Sequence, residues 1–176
     1  MRITNLALAT GWLCAACAGG RGAQPAGSAM PAGEPQSAAD TVAQGVVAVT
    51  GADPFTQVVA SGAAGEVALT GALREELATL HGAEVRVRGR PMANHQPRPA
   101  RAVEVTSYEI VAIGGERPYV GELTLGEGGH WLAGMRLVGA PEELSRAVGG
   151  KVWVVGRRAD GELQVLSYGI IRRPGQ

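Results

Sequence analysis

The chain has 176 residues, and 16 basic side chains balance 16 acidic ones, so its formal charge is zero. That balance excludes the broad positive field on which non-specific nucleic-acid binding depends. Aromatic residues make up 4% of the chain, too few for an extended surface of stacked rings.

Arg2 followed by Leu6-Ala7-Leu8-Ala9 and Trp12-Leu13 gives a positive start and a short apolar core. A run of that length serves secretion but not permanent spanning. Small residues then precede a cysteine in Cys14-Ala15-Ala16-Cys17. This start resembles the lipobox of bacterial lipoproteins, although Cys14 stands where leucine is commonest. The resemblance implies that Cys17 is lipidated, becomes the mature N-terminus and holds the protein on a membrane of the bacterial envelope, on its periplasmic or cell-surface side. Ordinary cleavage after an A-x-A-like site is the alternative. Both cysteines of the chain lie in this segment, so the body carries no disulfide, thiol nucleophile or Cys-ligated zinc.

Residues 18–43 are rich in Gly, Ala, Pro, Ser and Gln and poor in large apolar side chains. Such a segment buries too little surface to offset its ordering entropy, so a tether is expected. Beyond it, Gly45 to Thr50, Phe55 to Ala60 and Glu66 to Thr70 read as three strands. The period then changes from two to 3.6, with Leu73, Leu77 and Leu80 on one helical face, Glu75 and Glu76 in the early turns and Gly82 as the stop. Val85 to Arg88 and Val103 to Thr106 alternate apolar and polar, as half-buried strands do. Gly114-Gly115-Glu116-Arg117-Pro118 is the expected hinge.

The same order then returns. Tyr119 to Leu125, His130 to Ala133 and Met135 to Val138 are strands, Pro141-Glu142-Glu143 opens a helix stopped at Gly149, and Lys151 to Val155 and Leu163 to Ile170 complete the set. The match is residue by residue: Glu75-Glu76-Leu77 recurs as Glu142-Glu143-Leu144, and Ser107-Tyr108 as Ser167-Tyr168. A period of about 60 residues exceeds the usual solenoid repeats, so each copy is read as a small unit, 44–115 and 116–176. Each alone is marginal in size, and the two are expected to pack through an apolar face.

Three strands, a helix and two strands resembles the OB-fold, a five-stranded barrel with its helix between the third and fourth strands. The expectation is therefore a mainly β chain of two tandem OB-like barrels. An SH3-like barrel, or one sheet built from both copies, also fits the pattern.

Candidate site residues follow from this arrangement. The loop between the fourth and fifth strands is long in the first copy and carries Arg90, His95, Arg98 and Arg101, a set able to hold an anion by forked hydrogen bonds. A solvated hairpin tip is the plain alternative. Trp131 is the aromatic residue on the second copy's binding-prone strands. Trp153 replaces the charge of Arg86 on an outward strand face, so that face is covered by the other copy, by the chain ends or by a partner protein. Tyr108 and Tyr168 occupy equivalent positions and read as structural rings whose hydroxyls bond backbone. His81, His95 and His130 lack carboxylates at metal-ligand spacing, so neither a metal nor a cofactor is expected. No catalytic motif surrounds Ser107 or Ser167. The resulting expectation is a lipid-anchored, non-catalytic binding or scaffold module, its partner an envelope protein or an anionic polymer and not nucleic acid. The alternatives are a hydrolase with His95, Glu122 or His130 between the copies, and a structural, self-associating protein.

Overall fold

The computed structural model describes residues 40–52, 54–93 and 99–175, so the expectations at Cys17, His95 and Arg98 lie outside the described residues. The first copy is β1 (Thr41–Thr50), β2 (Gln57–Gly62), β3 (Gly65–Thr70), α1 (Arg74–Ala78), β4 (Glu84–Ala93) and β5 (Arg101–Ala112). These strands close into a barrel in the order β1-β2-β3-β5-β4, antiparallel except for β3 beside β5. Alternation in β4 sends Val85 and Val87 inward and Arg86 and Arg88 outward. Leu77 and Leu80 from α1 and the turn after it join the core, and each fully buried leucine contributes about 1.5–3 kcal/mol.

The second copy is β6 (Tyr119–Glu122), β7 (Thr124–Gly126), β8 (Gly129–Leu132), β9 (Met135–Val138), α2 (Glu142–Ser145), β10 (Lys151–Ala159) and β11 (Glu162–Arg172). The expected second barrel is not formed. The unit is an open six-stranded sheet, ordered β6-β10-β11-β9-β8-β7. Its edges β6 and β7 are consecutive in the chain and separated by Leu123 alone, whose N–H donates to Gly150 O at 2.9 Å and whose carbonyl accepts from Gly149 N at 2.7 Å. Backbone groups spent on the post-helix turn cannot extend a ladder, so the expected strand from Tyr119 to Leu125 breaks there. Val47 makes the equivalent bonds to Ala83 and Gly82 at 2.9 and 2.8 Å, but there β1 continues through the crossing.

The duplication extends to irregularities. Both long hairpins shift register at matching places, between Arg88 and Gly89 and between Val155 and Gly156. Glycine is required at both: a Cβ would lie 2.0 Å from Glu104 O at Gly89 and 2.1 Å from Gln164 O at Gly156.

The described residues belong to one compact unit. The expected hinge is a tight turn, with Ile113 and Glu116 exchanging backbone hydrogen bonds of 2.8 and 3.1 Å. Gly114 and Gly115 take φ of 59° and 85°, which side-chain-bearing residues rarely adopt. Val120, Trp153 and Ile171 of the second copy pack against the barrel core, so an apolar face joins the copies.

Candidate functional site

Two arrangements bring polar and apolar groups together: a junction between the copies and a cavity in the barrel. At the junction, the Glu76 carboxylate of α1 is 9% exposed. It accepts from Tyr108 Oη at 2.6 Å and Lys151 Nζ at 2.8 Å, and from Arg172 Nη1 at 3.3 Å. Lys151 Nζ also donates to the Tyr108 hydroxyl at 2.9 Å and stands 4.4 Å from the ring centroid. The one lysine of the chain is thus spent on a glutamate of the other copy. Burial pushes the Glu76 carboxyl up, but the bonds from Lys151 and Tyr108 and the charges of Lys151 and Arg172 outweigh it and hold it below the ordinary value of 4.5. Burial, with the bond to Glu76, pushes the Tyr108 hydroxyl up. Every member of this cluster is partnered, and its chemistry is that of a clamp.

The recurring tyrosines therefore bond carboxylates and not backbone. Tyr168 Oη lies 3.1 Å from Glu143 Oε2, in the relation Tyr108 bears to Glu76. In that second pair Glu143 is exposed and Tyr168 half-buried, and neither Lys151 nor Arg172 reaches it, since both are engaged with Glu76. Strand register aligns Lys151 with Glu84 and Arg172 with Ala112, so the first copy lacks the two cations of the clamp.

The cavity occupies the barrel end opposite α1, where β1, β3 and β5 begin and β2 and β4 finish. Its volume is about 510 Å³. Ala43, Ala60, Val67 and Val103 form its inner surface, and it opens past Val42 and Met92, which are 56% and 50% exposed. Among the described residues, Thr41, Gln44 and Arg101 are its polar side chains. Arg101 reaches across the rim and donates from Nη2 to Ala64 O in the turn between β2 and β3. Gln44 is engaged with Glu84 at 2.8 Å and with Arg86 at 3.0 Å.

The second copy shows how this end is filled when no cavity is needed. Register places Tyr119 where the barrel has Ala43, Leu132 where it has Ala60, and Met135 where it has Val67. Those larger side chains pack into the second core. The second copy also turns at Ala133-Gly134 directly after Leu132, whereas the barrel's hairpin continues beyond Ala60 to Gly62 and returns from Gly65. Small inner residues and taller walls together produce the cavity.

Of the residues singled out from sequence, the structure brings Arg101 to this cavity. Arg90 lies in β4, exposed on its outer side, next to the cavity residues Pro91 and Met92. Trp131 lies against Gly126, with Nε1 donating to Glu127 O at 3.2 Å. Trp153 is half-buried on Gly169, and the cover its position called for is the first copy. Glu122 is exposed in β6 opposite Lys151, and His130 is half-buried in β8 opposite Leu125; neither lines the cavity. Among the described residues no group of three His, Cys, Asp or Glu is placed to hold a metal ion, and no helix is long and apolar enough to cross a membrane. No family model, curated protein or solved structure matches the chain.

Proposed function

We propose that the chain is a bacterial envelope protein, anchored through lipidated Cys17, whose body is a non-catalytic binding module with its site at the open end of the barrel. The observation that carries this reading is the cavity of about 510 Å³, within the size range of small-molecule sites and at a barrel mouth, where such sites are common. Among the described residues no nucleophile with an adjacent base faces it: the polar side chains they supply are a threonine, a glutamine and an arginine. The strand order β1-β2-β3-β5-β4, with a helix between β3 and β4, supports an OB-like assignment for the first unit. The same order around the open sheet supports a diverged second copy, which braces the barrel and carries larger inward side chains at its matching end.

Membrane fractionation of the full-length protein, carrying a photo-crosslinking residue in place of Met92, tests both halves of the proposal. Cys17→Ser should move the protein from the membrane to the soluble fraction, and retention would overturn the anchor. Irradiation in cells should attach an envelope component at position 92, whereas adducts of the chain with itself alone would overturn the binding role and favour self-association.

A further inference from the structure

Resting on that reading of the barrel end as a binding site, we propose that the cavity takes a single aliphatic chain with an anionic head group. The chain would lie on Ala43, Ala60 and Val67, and the head group would meet Arg101. Three observations carry this. The inner surface is aliphatic and no aromatic ring lines it among the described residues, which therefore offer no platform on which a sugar or a nucleobase would stack. The inward positions at this end are small only in the copy that has the cavity; the other copy carries Tyr119, Leu132 and Met135 there. The space therefore reflects side-chain choice at three positions together with the longer β2–β3 hairpin, and not the strand order, which both copies share. Finally, Arg101 is the charged group that the described residues place at the rim; one nitrogen donates to Ala64 O, and a guanidinium carries five N–H donors in a fork suited to an oxyanion.

Such a chain could come from a free fatty acid or from a membrane phospholipid. The test uses the full chain with Cys17→Ser, titrated calorimetrically with palmitate and, separately, with phosphatidylglycerol vesicles. Saturable binding of palmitate is expected, and Ala60→Leu, which installs the second copy's residue, should weaken it by about tenfold or more. Val67→Met serves the same purpose should Ala60→Leu fail to fold, as judged by its unfolding transition. Arg101→Ala should weaken palmitate but leave hexadecanol unchanged. Ala60-sensitive binding to vesicles without binding of palmitate would support the proposal and assign the chain to a phospholipid. Binding to neither, or binding to both that ignores Ala60→Leu and Val67→Met, would overturn it. An adduct at position 92 that persists in that case keeps the binding role and removes only this ligand class; loss of both removes both.

Discussion

Glu76 shows how far a single residue's role depends on what the other copy brings to it. From sequence, the acidic pair Glu75-Glu76 is explained by its place in the first turn of a helix. The structure gives the second of the pair another task, because Tyr108 returns from β5 and Lys151 and Arg172 arrive from the second copy. Nothing local signals this: Lys151 is 75 positions away, and only the finished fold puts it within 2.8 Å. The clamp also has a direction with pH. Because the folded carboxyl titrates below 4.5, Glu76 contributes stability above that value, and the contribution is lost as pH falls through the folded pKa. The unfolding midpoint should therefore decline as pH falls below 4.5 in the natural protein, and Glu76→Gln should flatten that decline. An identical pH profile for the two would show that Glu76 is not held as described.

At the scale of elements, most strands were legible because alternation and helical spacing are written twice. Met135–Val138 falls where the pattern places it, and Leu73, Leu77 and Leu80 do face one core. Two features were not legible, for different reasons. The apolar run from Tyr119 to Leu125 reads as one strand, since its break is made by backbone bonds from Leu123 to distant glycines and not by any local breaker. The cavity is invisible in sequence because alanines in a strand signal nothing until register shows that Ala60 stands where Leu132 stands in its copy. Arg101 was found from the length and charge of its loop, whereas Ala43, Ala60 and Val67 were missed; pairwise comparison of inward positions between the copies is the signal that finds them. The matching bulges give an element-level prediction. Gly89→Ala would drive a methyl group into Glu104 O, a backbone atom that cannot rotate away. It should cost about 1–3 kcal/mol in denaturant unfolding, and a negligible change would mean that the bulge relocates freely.

For the whole molecule, the tight turn at Gly114-Gly115, the clamp and the shared apolar face make the two copies one folding body. The second copy depends on the first, since Val120, Trp153 and Ile171 would otherwise face water and a unit of about 60 residues has little core to spare. A fragment of residues 116–176 should accordingly show no cooperative thermal transition by circular dichroism, and a sharp one would establish it as an independent domain. The clamp has one further consequence, which concerns growth. Its plug, Lys151 with Arg172, belongs to the second copy, and the first copy has Glu84 and Ala112 at those positions. The Glu143-Tyr168 pair is a socket of the same kind on the second copy. Were another molecule to dock there head-to-tail, it would offer a glutamate to a glutamate. Open-ended addition of subunits through this contact is thus opposed by like charge, whereas within one chain the same arrangement joins two copies through opposite charges.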